Sequence, residues 1–121
     1  MNSNKKTLVI GASENPARYS NRAIRQLRAY QHEVLALAKR EGKVEDVSIN
    51  TEFPEDSVHT VTLYVGPHRQ PEYYEKILAL KPRRVIFNPG TENDEFASLL
   101  EENDIEAVEA CTLVMLSIGN Y

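Results

Sequence analysis

Two short stretches of this 121-residue sequence hold residue types that could do chemistry. They are Gly11-Ala12-Ser13-Glu14-Asn15-Pro16, followed by Arg18, Tyr19 and Ser20, and Asn88-Pro89-Gly90-Thr91. Each has a glycine and small or polar neighbours that let a ligand approach the backbone. Each also runs into a helix start whose free N–H groups attract anions. That pattern suits a phosphate, and Arg18 adds a planar donor fork just ahead of the helix. A basic pair, Lys39-Arg40, is suited to a second phosphate on a ribose. The remaining reactive types point nowhere. Cys111 is the sole cysteine, and none of His32, His59 and His68 is spaced to activate it or to bind a metal with it. The expectation is a structural thiol, no metal and no catalytic residue.

Those turns need rigid elements behind them. Apolar, β-rich runs at 7–11, 34–38, 58–65, 85–88 and 106–109 predict five strands. Between the first two, Ala23, Ile24, Leu27 and Tyr30 recur at helical spacing, with Ser20 or Asn21 as the cap. A second helix opens at Pro71, carries Tyr74, Ile77 and Leu78 inward, and stops at Lys81-Pro82. A third begins with the Thr91 and Asp94 pair, buries Phe96, Leu99 and Leu100, and ends near Asn103. Residues 39–57 read as loop, with at most a short irregular strand at 47–49.

Strands alternating with helices imply right-handed crossovers and an open α/β fold, a parallel sheet of about five strands with helices on both faces. Such sheets bind ligands beyond the carboxyl ends of the strands, where the strand order reverses. The loops after the first and fourth strands, which hold the two phosphate-suited stretches, are therefore the expected site. The P-loop is excluded because no Gly-Lys-Ser/Thr closes the first turn. The dinucleotide fingerprint is poorly met, with one glycine of three. Where NAD recognition wants an acid after the second strand the chain has Ala38-Lys39-Arg40. A metal-holding acid pair after strand one is also missing. What remains is a nucleotide with a pyrophosphate and a phosphorylated ribose, coenzyme A (CoA) or NADP.

From about Lys6 to Ser117, the sequence resembles the small CoA-binding-domain proteins, which are similar to the CoA-binding domain of the succinyl-CoA synthetase α subunit. The resemblance rests on VIGASENPARYSNRA, FNPGTEN and EACTLVML. It implies a three-layer Rossmann-like fold whose first loop wraps the ligand pyrophosphate. Here that loop is Gly11, Ala12, Ser13, Asn15 and Pro16, with Arg18, Tyr19 and Ser20 just beyond. The family tends to place a proline before the basic residue after strand two; this chain has Ala38 there instead.

Composition narrows the rest. A chain of 121 residues suits one domain over 1–121. A net charge of −4 from intermixed charges argues against nucleic acid. No apolar run approaches the ~18 residues of a membrane span, and Met1–Lys6 is too polar for a secretory signal. The cytoplasm is the expected compartment. The predicted elements use nearly the whole chain, which leaves no room for a substrate domain. The expected function is thus a CoA or acyl-CoA binding module with a carrier, sensor or regulatory role. The alternative is an NADP-binding oxidoreductase component completed by a partner chain. The apolar run Thr112–Ile118, broken only by Ser117, predicts a last helical turn carrying Leu113, Met115 and Leu116. It should pack on the sheet near the end of strand one and stop at Gly119, with a homodimer contact as the competing cover.

Overall fold

A computed structural model of the chain describes residues 4–121. Among the described residues the strands are β1 (Thr7–Ile10), β2 (Val34–Leu37), β3 (Gly42–Val44), β4 (Val47–Asn50), β5 (Thr60–Leu63), β6 (Arg84–Phe87) and β7 (Glu106–Glu109). They form one sheet in the order β3-β4-β2-β1-β5-β6-β7, parallel throughout except for the antiparallel β3–β4 pair. β1 and β5 are buried at every position, as strands covered on both faces must be. Register sets the site: Ile10 lies between Leu37 and Leu63, so β1, β2 and β5 end level with one another.

The helices are α1 (Tyr19–Ala29), α2 (Tyr74–Leu80), α3 (Asp94–Glu102) and α4 (Thr112–Ser117). Alternation along the strands divides the core between two faces. Leu8, Ile10, Val61, Leu63, Val85 and Phe87 face α2 and α3, where Ile77, Phe96 and Leu100 fill the space. Val9 and Ala36 face the other way, onto Ile24 and Leu27 of α1 and Leu116 of α4. Burying each of these larger side chains contributes about 1.5–3 kcal/mol. The expected layering of helices on both faces is present.

Four local expectations are corrected. Residues 39–57 hold a hairpin, β3 and β4, so the sheet has seven strands; its inward positions are Val44, Val47 and Ile49, alternating with solvent-facing Lys43, Ser48 and Asn50. Helix α1 starts earlier than Ser20 or Asn21 would cap it. Arg18 is the cap residue and makes no side-chain cap bond, and Ser20 and Asn21 lie buried in the first turn. Pro71 opens a 3-10 turn, Pro71–Tyr73, and α2 follows from Tyr74. Helix α3 is capped by Asn93, whose Oδ1 accepts from the Phe96 N–H at 3.1 Å, because the Thr91 hydroxyl is spent on the Asn88 carbonyl at 2.8 Å.

The C-terminal run forms α4, which packs on α1 and buries Met115 and Leu116, and Gly119 follows it with φ +78°. Beneath α4 the sheet is polar: Thr62 and Thr112 share a hydroxyl bond of 2.8 Å, and the hydroxyl of half-buried Tyr64 is enclosed there without a partner among the described residues. Burial pushes the Tyr64 phenol up. The Tyr121 ring lies 4.9 Å from His32 and 4.5 Å from the Arg84 guanidinium. His32 Nδ1 accepts the Lys5 N–H at 2.9 Å, so the ring is neutral; burial, with Lys5 and Arg84 nearby, lowers its pKa from 6.5.

Candidate functional site

The strand order reverses between β1 and β5, and a cleft of about 890 Å³ opens there beyond the strand ends. Its near wall is the β1–α1 loop, with Gly11, Ala12, Ser13 and Asn15 leading to Arg18, Tyr19 and Ser20. Lys39 and Arg40 approach from the end of β2, and Pro89, Gly90 and Thr91 from the end of β6. The structure thus brings together twelve of the fourteen residues that the sequence singled out. Pro16 and Asn88 do not line the cleft.

The β1–α1 loop is built by its own side chains. Gly11 has φ +93°, and a Cβ there would lie 2.9 Å from the Tyr64 carbonyl oxygen, so the turn needs glycine for conformation and for space. The Gly11 and Ala12 N–H groups both donate to the Leu37 carbonyl, at 2.9 and 3.1 Å. The Asn15 N–H donates to Ser13 Oγ at 3.1 Å, Ala17 N–H to Asn15 Oδ1 at 3.0 Å, and Arg18 N–H to the Asn15 carbonyl at 3.0 Å. Asn21 then clamps the loop from the helix, its amide donating to the Ser13 carbonyl at 2.9 Å. After these bonds, the N–H groups of Ser13, Glu14, Tyr19 and Ser20 have no partner among the described residues. Two loop amides and the first turn of an 11-residue helix are thus left to meet an anion.

The β6 loop is different. Gly90 N–H donates to Glu92 Oε1 at 2.9 Å and Thr91 N–H to the Asn88 carbonyl at 2.9 Å, so its donors are engaged. Asn88 lies under the floor, its amide donating to Thr62 Oγ1 at 2.6 Å and the Leu63 carbonyl at 2.8 Å while its oxygen accepts the Thr112 N–H at 2.9 Å. It ties β5, β6 and α4 together.

The far wall is the β5 loop, which sequence reasoning passed over: Tyr64, Val65, Gly66, Arg69 and Tyr73 all line the cleft. The order reversal beside β1 and the Gly66-Pro67 turn with Arg69 were the signals that could have found it. Gln70, 1% exposed, holds this wall to the β6 loop. Its amide donates to the carbonyls of Val65 at 3.0 Å and Thr91 at 2.8 Å, and its oxygen accepts from Asn93 at 2.9 Å.

Electrostatically the cleft runs against the rest of the molecule. Arg18, Lys39, Arg40 and Arg69 line it against two carboxylates, Glu14 and Glu41, in a protein of net charge −4. The Glu14 carboxylate is partly satisfied by the Lys43 N–H at 2.8 Å. Lys39 Nζ meets Glu72 Oε1 at 2.7 Å; that bond holds the Glu72 carboxyl below and the Lys39 ammonium above their ordinary ranges. Among the described residues no group of three His, Cys, Asp or Glu side chains could hold a metal, and no helix is long and apolar enough to cross a membrane. Cys111 is half-buried ahead of α4, outside the cleft lining. What the arrangement can do is hold a polyanion along the strand ends.

Residues 5–117 match the family model described as CoA binding domain. A crystal structure of an uncharacterized protein is 47% identical, with 99% of this chain and 100% of that chain covered and a TM-score of 0.96. The fold recurs in cell-free ID.343 from Thermus thermophilus, at 22% identity, coverage of 98% of this chain and 91% of that one, and TM-score 0.86. It recurs again in a hypothetical protein from Pyrococcus horikoshii OT3, at 23% identity, coverage of 96% and 84%, and TM-score 0.86. Among curated proteins no relative matches.

Proposed function

This chain belongs to the CoA-binding domain family, and on that premise we propose that it binds CoA or acyl-CoA as a cytoplasmic carrier, sensor or regulatory partner, with no catalytic apparatus of its own. The observation that carries the reading is the set of free amides of Ser13, Glu14, Tyr19 and Ser20 inside a basic cleft of an acidic protein. The ligand pyrophosphate takes those amides, with Arg18 and Arg69 as flanking donors. Lys39 and Arg40 take the ribose phosphate. Tyr19, 66% exposed at the rim, offers a face for the adenine or the pantetheine. The Pro89-Gly90-Thr91 turn acts as a wall, since its own amides are engaged.

An NADP-binding oxidoreductase component completed by a partner chain is the second reading, because Lys39 and Arg40 suit a ribose phosphate of either nucleotide. Isothermal calorimetry with CoA, NADP and NAD separates the cases. The expected order places CoA tightest and NAD weakest by about tenfold or more, since only CoA and NADP bring a ribose phosphate to the basic pair. Equal affinity for CoA and NAD would refute the assignment, and a preference for NADP would favour the second reading.

A further inference from the structure

Lys39 is not idle at the cleft mouth. Its ammonium bonds Glu72 at 2.7 Å across the opening, from the end of β2 to the turn that precedes α2. The two ends of this pair differ in freedom. Glu72 sits on the Pro71–Tyr73 turn, between Gln70, 1% exposed and bonded three ways, and Tyr73, buried in the core. Its backbone is fixed. Lys39 rides on a flexible four-carbon stem, 61% exposed, with Nζ 5.9 Å from the Tyr73 ring centre. Arg69 attracts Glu72 and repels Lys39, which leaves the lysine the easier of the two to draw away.

We infer that Glu72 is a built-in competitor for Lys39: loading the cleft exchanges a carboxylate for the ligand's phosphomonoester on the same ammonium. The inference rests on the functional reading above. A phosphomonoester carries close to two charges at neutral pH and outcompetes a single carboxylate. The resident pair is solvent-exposed and therefore weak, so Glu72 acts as a brake on affinity and keeps loading reversible. A ligand without the phosphomonoester has no cause to break the pair and is indifferent to Glu72.

Calorimetry with CoA and 3′-dephospho-CoA tests this. In Glu72→Gln, CoA affinity rises about two- to fivefold, the scale of one exposed ion pair, and 3′-dephospho-CoA affinity changes less than about twofold. In Lys39→Gln, CoA affinity falls toward the 3′-dephospho-CoA level, with Arg40 retaining a share of the phosphate, and adding Glu72→Gln changes nothing further. Unchanged or weaker CoA binding in Glu72→Gln would overturn the inference. A gain that persists in the Lys39→Gln background would also overturn it, since that would be a general field effect. Binding of neither compound to the wild type would overturn the functional reading, and this inference with it.

Discussion

Replacing Ser13 by glutamate is expected to weaken CoA binding by at least about 100-fold, because like charges brought together in a binding site cost several kcal/mol. The Ser13 amide is one of four left free in the β1–α1 loop and first helical turn, so a carboxylate on that residue stands where the pyrophosphate would arrive. Folding is expected to survive. Ser13 is only partly buried, and its side chain supports the loop through one bond, from the Asn15 N–H at 3.1 Å. Its clamp to Asn21 uses the backbone carbonyl, which the substitution leaves in place. Losing the one hydroxyl bond costs about 1 kcal/mol, and the melting temperature should fall by no more than about 5 °C. A well-folded Ser13→Glu protein with unchanged CoA affinity would remove the pyrophosphate from this loop.

The second large effect is on stability. Gly11→Ala is expected to cost about 3 kcal/mol or more and to lower the melting temperature by about 10 °C or more. Two terms add. A residue with a side chain is strained at φ +93°, and the new Cβ would meet the Tyr64 carbonyl at 2.9 Å for oxygen and 3.0 Å for carbon. Backbone cannot swing aside as a flexible side chain can, so β1 and β5 must separate. Gly90→Ala isolates the first term: φ is +92°, yet nothing lies within 4 Å of a Cβ there. It should cost about 1–2 kcal/mol. Thermal melts of both variants check the difference; equal losses would show that the contact with β5 contributes nothing.

Five of the six parallel strands were legible because each carries a short run of apolar or β-branched residues, β7 through Ala107 and Val108 alone, and the helices because Ile24 with Leu27 and Phe96 with Leu100 repeat at helical spacing. The hairpin was not. Val47-Ser48-Ile49-Asn50 alternates as a half-exposed strand should, but it is four residues long, and its turn, Glu45-Asp46, lacks the glycine that usually announces a tight hairpin. Glu45 takes φ +54° without one. Caps misled for a related reason: a hydroxyl or amide near a helix start can be spent elsewhere, as the Thr91 hydroxyl is on the Asn88 carbonyl and the Asn21 amide on the Ser13 carbonyl, while Ser20 lies buried inside the first turn. At the site, the loop after β1 could be read from residue types, since local chemistry builds it. Arg69 and Tyr73 are not marked by residue type alone: they reach the cleft through the topology that sets β5 beside β1, and only the Gly66-Pro67 turn ahead of Arg69 hints at it. Asn88 was singled out by its turn-like neighbours and proves to be a buried tie between strands.

The central claim is that CoA lies across the strand ends with its pyrophosphate on the free amides of the first loop. An amide-resolved NMR titration of the protein with CoA tests it most directly. The account predicts saturable shifts led by Ser13, Glu14, Tyr19 and Ser20, with Arg40 and Arg69 following. Gln31, Glu33 and Arg83, at the opposite end of the sheet, should stay unmoved. No shift at any ratio of CoA, or shifts confined to that opposite end, would contradict it.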